Sequence, residues 1–281
     1  SYSCIKGRGT HYGINRLERH IRQESQNWQM PCWVLKMDIR GYFMHINRER
    51  LLSIMFYQLD RMASHRMDAI RTWGECLDMN FLRYLTHEIV LIDPTVGCRI
   101  KGKLADWKTL PHDKSLFYSP KGCGLPIGNL TSQLFSNVYL GRLDDFMKRT
   151  LRCQHYGRYV DDFYVVSVNR ERLHGIIPRV RRFLIEDLGL TLHEGKVRIC
   201  SVNQGVEFLG AYLKPHRRYV SNVTLRRMLR KISSLAFEKD AMRIRSRRAS
   251  FLGVLSHYRT GWIVSKPSFG KVALAPYYVL D

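Results

Sequence analysis

Apolar residues recur along this chain with two periods, and the changes of period mark out its elements. In "THYGINRLERHIR" (Thr10–Arg22) the apolar positions Ile14, Leu17 and Ile21 lie three and four apart with basic residues between them, which predicts an amphipathic helix. The run "WVLKMDI" (Trp33–Ile39) is short and nearly continuous, so it reads as a buried strand with Asp38 near its end. Helical spacing returns in "NRERLLSIMFYQL", opened by Asn47 as an N-cap, and again in "MNFLRYLTHEIVL". Asp93 to Pro120 is rich in Gly, Pro, Lys and Asp and is predicted to be loop.

The stretch "GCGLPIGNLTSQLFSNVYLGRLDDFMKRTL" predicts a turn and then a long helix from Thr131. Tyr156 to Val168, which contains "YGRYVDDFYVVS", reads as a hairpin of two β-branched and aromatic runs. "RERLHGIIPRVRRFLIEDLGL" predicts a helix with Pro178 as a candidate break. "KVRICSVNQGVEFLGAYLKPHRRYVS" gives short strands separated by turns, and the helical pattern resumes from Leu225. No internal repeat or low-complexity linker intervenes, so any subdomains share one continuous body.

Composition narrows the partners. The chain has 281 residues, enough for a sizeable core, and 46 Lys plus Arg against 24 Asp plus Glu give a formal charge of +22. Such an excess points to a polyanion, nucleic acid foremost. Arg226, Arg227, Arg230, Lys231, Lys239, Arg243, Arg245, Arg247 and Arg248 cluster late in the chain, opposed locally only by Glu238 and Asp240. A charge run is ordinarily a solvated helix face, but in so basic a chain this one favours a nucleic-acid backbone contact. The seven cysteines are scattered and form no C-x-x-C, which argues against a disulfide framework or zinc site and predicts a cytoplasmic setting. With no signal peptide and no bilayer-length apolar run, no membrane partner is expected.

The chemistry gathers at aspartates. Asp161 and Asp162 are adjacent between the two hairpin runs, and Asp38 ends the earlier strand. Neighbouring carboxylates repel unless a cation or proton intervenes. Three aspartates without His or Cys suit a hard, oxygen-seeking ion such as Mg²⁺, with Mn²⁺ as a substitute. An Asp-Asp pair alone is more often a plain turn. The strand-like flanks and Asp38 upstream reverse that preference.

Together these stretches resemble a reverse transcriptase. "YVDDF" (Tyr159–Phe163) is similar to the family's central motif, and "KMDIRGYFMHI" (Lys36–Ile46) to its first palm motif. "LTLHEGKV" (Leu190–Val197) resembles the lysine-bearing motif, "EFLGAYL" (Glu207–Leu213) the primer grip, and "SYSCIKGRGTHYGI" a fingers motif. In "GLPIGNLTSQ", Ile127 stands where the family usually has Gln, and Gln133 where it usually has Pro. That pattern is similar to the reverse transcriptases of diversity-generating retroelements.

The resemblance implies an α+β right-hand polymerase with an antiparallel-sheet palm, partial α-rich fingers and a helical thumb. Its divisions are fingers at 1–28 and 48–130 (upstream part missing), palm at 29–47 and 131–214, and thumb at 215–281. It implies two-metal nucleotidyl transfer with Asp38, Asp161, Asp162 and Lys196 as catalytic residues. The metal ligands are Asp38, the Ile39 carbonyl, Asp161 and Asp162. Nucleotide contacts fall to Arg40, Gly41, Tyr42, Phe43 (a steric gate against the 2′-hydroxyl), Ile127, Gly128 and Gln133. Leu209 and Gly210 grip the primer, and Arg226, Arg227, Arg230 and Lys231 hold the nucleic-acid backbone. The implied partners are an RNA template, a DNA or RNA primer, dNTPs and a small basic accessory protein, in a bacterial or phage-encoded system that copies with errors at adenines. A group II intron, retron or phage-defence enzyme stays open as an alternative, as does a non-catalytic RNA-binding scaffold. A phosphate-loop reading of "GLTLHEGKV" fails, because Val197 stands where Ser or Thr would bind magnesium.

Overall fold

The computed structural model describes residues 1–98, 110–234 and 240–258. Glu238, Lys239, part of the expected loop (99–109) and the end of the expected thumb (259–281) lie outside the described residues.

Helix α1 (Thr10–Glu24) forms where the spacing of Ile14, Leu17 and Ile21 predicts it, and all three are buried. Strand β1 (Trp33–Asp38) follows, then a one-turn helix at Tyr42–His45. Helix α2 (Arg48–Ala63) starts at the expected cap: the Asn47 side chain accepts a hydrogen bond from the Arg50 N–H at 2.8 Å. Helix α3 (Met79–Leu91) packs against α2 and is capped by Asp78, which accepts from the Asn80 and Phe81 N–H groups. The described part of the expected loop contains two short 3₁₀ turns, His112–Lys114 and Leu116–Tyr118.

Helix α4 (Leu130–Tyr139) is shorter than expected; a turn at Gly141–Asp145 and a π turn at Phe146–Thr150 continue it. The hairpin is strands β2 (Tyr156–Tyr159) and β3 (Asp162–Ser167). Helix α5 (Arg170–Phe183) runs through Pro178 without the expected break. Leu173, Ile176 and Val180 bury one side of it, and Pro178 lies exposed, so its missing N–H costs a bond only at the wet face. Strand β4 (Arg198–Ser201) precedes the short strands β5 (Val206–Phe208), β6 (Ala211–Lys214) and β7 (Arg217–Val220). Helices α6 (Asn222–Ser234) and α7 (Ala241–Leu255) complete the described chain.

Among the described residues two antiparallel sheets form, ordered β2-β3-β1-β4 and β5-β6-β7. Side chains alternate across a strand. Leu35, Met37, Phe163 and Val165 therefore face one core, shared with Phe135 and Tyr139 of α4 and with Leu173, Ile176 and Val180 of α5. Val34, Tyr164 and Val166 face the other, with α1 and with Val206, Phe208 and Leu213 of the small sheet. The central strands are covered on both sides, which explains why β1 and β3 read as continuous apolar runs.

Candidate active site

Register brings the acids together. Asp38 lies directly opposite Asp162 where β1 pairs with β3, so their side chains leave the same face of the sheet. Asp161 sits in the two-residue turn between β2 and β3, where Tyr159 pairs with Asp162. The residue before it, Val160, has φ 55, a left-handed backbone that a β-branched residue rarely adopts. Such strain persists only where the surroundings enforce it.

Burial and mutual repulsion set the electrostatics of the acids. Burial, followed by the charge of Asp38, pushes the Asp161 carboxyl up to about 6. Asp162 is also raised to about 6, by burial first and then by its acidic neighbours Asp38 and Asp161, against the pull of Lys36. Lys196 donates from Nζ to the Asp38 carboxylate at 2.9 Å. Burial lowers the Lys196 ammonium, but the bond to Asp38 and the nearby acids outweigh that and raise it above its ordinary value.

Lys196 arrives by way of a bridge between Ile39 and Leu192, in which the His193 N–H donates to the Asp38 carbonyl and the Arg40 N–H to the Thr191 carbonyl. That pattern leaves the Ile39 carbonyl out of the bridge. A short turn at Glu194–Lys196 then turns the lysine back toward Asp38.

Beside the acids lies a cavity of about 570 Å³. Asp38, Asp161, Phe43, Ile127 and Lys196 share its wall, along with Gly41 and Tyr42. Ile127 is 69% exposed, so it is not a core residue. The Tyr42 hydroxyl is committed elsewhere, donating to the Ser136 carbonyl at 2.6 Å. Arg40, Gly128 and Gln133 are not part of this wall; Gln133 instead accepts from the Cys4 thiol. The wall also includes Pro111, Asp113, Lys114 and His193, which sequence reasoning passed over. Asp113 and Lys114 fell within a stretch read only as loop. The left-handed Gly41 marks the contact: a Cβ there would sit 3.0 Å from the Asp113 carbonyl.

A second cavity, about 350 Å³, is bounded by Leu209 and Gly210 together with Arg227, Met228 and Lys231 of α6. Leu209 and Gly210 form the β5–β6 turn, both with positive φ. A Cβ on Gly210 would meet the Thr224 hydroxyl at 2.9 Å. Arg226, Arg227, Arg230 and Lys231 are all exposed on α6.

Among the described residues no three His, Cys, Asp or Glu side chains are grouped tightly enough to enclose an ion unaided. The donors present are all oxygen: carboxylates of which, among the described residues, only Asp38 is ion-paired with a protein cation, and a backbone carbonyl. That set fits a hard ion which takes one or two carboxylates and completes its shell with water and substrate phosphates.

An antiparallel sheet presenting opposed acids at its strand ends, with helices behind and a basic helical end beyond, defines a polymerase-type palm. The chain belongs to the reverse transcriptase (RNA-dependent DNA polymerase) family, whose sequence profile matches residues 1–213. Its fold is similar to telomerase from Candida tropicalis, at 12% identity and a TM-score of 0.52 over 76% of this chain and 40% of that one. It is similar also to telomerase from Candida albicans, solved with a fragment of telomeric RNA, at 10% identity and a TM-score of 0.50 over 81% and 39%. The chain thus spans about 40% of the length of those telomerases, and at such identities the likeness concerns the fold, an α+β right hand. No curated protein matches the sequence.

Proposed function

We propose that this chain is the polymerising part of an RNA-directed DNA polymerase. The observation that carries the reading is the opposition of Asp38 to Asp162 across β1 and β3, with Asp161 in the adjoining turn and a nucleotide-sized cavity alongside. In this reading Asp38 and Asp161 hold two divalent ions, Mg²⁺ by preference, the Ile39 carbonyl assists, and Asp162 supports. When bound, such an ion pair supplies charge neutralisation at the attacking and leaving oxygens of an in-line phosphoryl transfer. The rest is positioning by the chain. Phe43 fills the space a ribose 2′-hydroxyl would need, and Ile127 packs against the nascent base pair. Lys196 balances the leaving pyrophosphate. Leu209 and Gly210 admit the primer backbone closely, and the exposed cations of α6 hold the phosphates of the duplex.

The finer reading places the chain in a diversity-generating retroelement. Its support is Ile127 in place of Gln on the cavity wall and Gln133 in place of Pro. A hydrogen-bonding group polices geometry strongly, whereas apolar shape discriminates modestly. Copying is then error-prone opposite adenine, with a small basic accessory protein as partner. Primer extension on primed RNA with dNTPs and Mg²⁺ tests the main proposal. Asp161→Asn should cut extension by about 10³-fold or more while RNA affinity stays unchanged; an active Asp161→Asn enzyme ends the reading.

A further inference from the structure

The hairpin turn that carries Asp161 contains no glycine. Two-residue hairpin turns ordinarily use Gly, Asn or Asp at left-handed positions. Here Val160 takes that conformation, and its carbonyl is bonded to a buried charge. Arg158, on β2, is 1% exposed. Its guanidinium makes a two-pronged contact with the Asp144 carboxylate, Nε to Oδ1 at 2.8 Å and the Nη2 nitrogen to Oδ2 at 2.6 Å. The remaining arm, Nη1, donates to the Val160 carbonyl at 2.9 Å, with the Asn137 amide oxygen at 3.4 Å beyond it.

The other side of Val160 is also gripped: its N–H donates to the Ser3 hydroxyl at 3.3 Å, and the Tyr2 N–H donates to the Arg158 carbonyl at 2.8 Å. The peptide groups flanking the strained residue are thus both tied down, and the next side chain is Asp161.

We infer that Arg158, anchored by Asp144, is a positioning residue that fixes the direction of the Asp161 carboxylate through the Val160 carbonyl. The inference rests on the proposed polymerase reading, which makes Asp161 a metal-holding group. A guanidinium presents its donors in a rigid fork, so one set of distances fixes carboxylate and carbonyl together. A lysine keeps the charge beside Asp144 but has no second arm to set the turn. An ion pair that merely staples β2 to the turn after α4 would also lose a prong and melt lower in the lysine variant, but it needs no bond to Val160 and would leave the metal affinity of the folded protein unchanged.

The test is Mn²⁺ binding by the full chain, read from the electron paramagnetic resonance signal of the free ion, with the thermal midpoint measured alongside. Arg158→Lys should weaken Mn²⁺ binding by roughly 10–100-fold, the usual consequence of losing a group behind a metal ligand, and raise the Mg²⁺ concentration needed for half-maximal extension. Tyr156→Phe removes another bond to Asp144, the one from the Tyr156 hydroxyl at 2.7 Å, and leaves the Val160 bond in place. It should bind Mn²⁺ as the parent does. Should Arg158→Lys fail to fold, Ser3→Ala loosens Val160 without touching the ion pair and should weaken Mn²⁺ binding measurably. Parent-like Mn²⁺ affinity in Arg158→Lys or Ser3→Ala, or equal weakening in Tyr156→Phe, overturns the inference. If instead Asp161→Asn binds Mn²⁺ like the parent, the polymerase reading itself falls.

Discussion

Asp144 and Asp161 are both largely removed from water, they stand at either end of the same guanidinium's reach, and the protein treats them in opposite ways. Burial pushes the Asp144 carboxyl up, but the bonds and charge of Arg158 more than reverse this and hold it below its ordinary value. The Asp161 carboxyl is left raised to about 6, with Asp38 beside it. Arg158 donates to the Val160 carbonyl rather than to Asp161, although its charge reaches that far. Among the described residues neither Asp161 nor Asp162 has an ion-pair partner. A fold that neutralises a buried acid at Asp144 leaves Asp161 and Asp162 without an ion pair and with their carboxyls raised. The difference separates an acid that serves stability from acids kept for a ligand of opposite charge.

One substitution made at both sites tests this most sharply. Asp144→Asn strands the buried Arg158 charge and should destabilise the protein by about 3–5 kcal/mol. Asp161→Asn removes a repulsive charge and should stabilise the metal-free protein by about 1 kcal/mol, allowing for screening by water in the adjoining cavity. Thermal melts without divalent ions give both values. Destabilisation of similar size at the two positions breaks the comparison.

The pH dependence sharpens it further. The folded Asp161 and Asp162 titrate near 6, above the ordinary carboxylate value. Between those pH values the folded state binds protons that the unfolded state has released, so stability falls as pH rises through the window. Asp144 behaves conversely: its contribution is present above its unfolded value and is lost as pH falls through its lowered folded value. The buried His20, lowered to about 4 chiefly by burial, loses stability as pH falls from 6.5 toward 4 and masks the trend in the parent alone. The informative curve is therefore the difference between Asp161→Asn and parent. Its stabilisation should grow from pH 4 to about 6, level off above, and shrink when Mg²⁺ is added at pH 7. A difference that is flat with pH removes the electrostatic argument.

Much of this was legible in the chain, and what was not has a common cause. Helices α1 and α3 stood out by the helical spacing of their apolar residues, and strand β1 and the β2–β3 hairpin as short, nearly continuous apolar runs. The convergence of Asp38 with Asp162 was legible only through the motif resemblance, since strand register is a long-range property. The Arg158–Asp144 pair gave no signal: an arginine in a strand reads as a solvent-facing residue, and only the packing around it shows otherwise. Lys114 and Asp113 were hidden because loop residues carry no periodicity. Pro178 misled because a proline rule ignores which side of a helix the residue occupies.

Lys196 tests the one contact where the acid cluster does meet a protein cation. Its side chain is 55% exposed, so the ion pair with Asp38 contributes little to stability, about 0–1 kcal/mol, and Lys196→Met should melt near the parent. Extension should slow by about 10²-fold, within the range for a group acting on the leaving phosphate. Bonded to Asp38 at the cavity wall, the Lys196 ammonium is placed to act as a fixed charge. Lys196→Arg should accordingly recover most of the lost rate. An arginine enzyme as slow as the methionine one would assign proton transfer instead.

The smallest effect expected on rate, and the most specific on outcome, comes from Ile127. It shares the cavity wall with Asp161 yet lies on a segment separate from both aspartate sites, so changing it should leave Mn²⁺ affinity and the melting difference between the two Asn variants untouched. The residue is exposed, and nothing in the core depends on it. An apolar wall discriminates between base pairs by shape alone, with a ceiling of roughly 10–200-fold for a small misfit, whereas a placed hydrogen-bonding group rejects by more. Ile127→Gln should therefore lower misincorporation opposite template adenine by about an order of magnitude, with extension on correct nucleotides changed less than threefold or so. Sequencing the cDNA made from one defined RNA reads both numbers. An unchanged error spectrum would mean that fidelity is set elsewhere on the wall, with Lys114 and His193 as the next residues to vary.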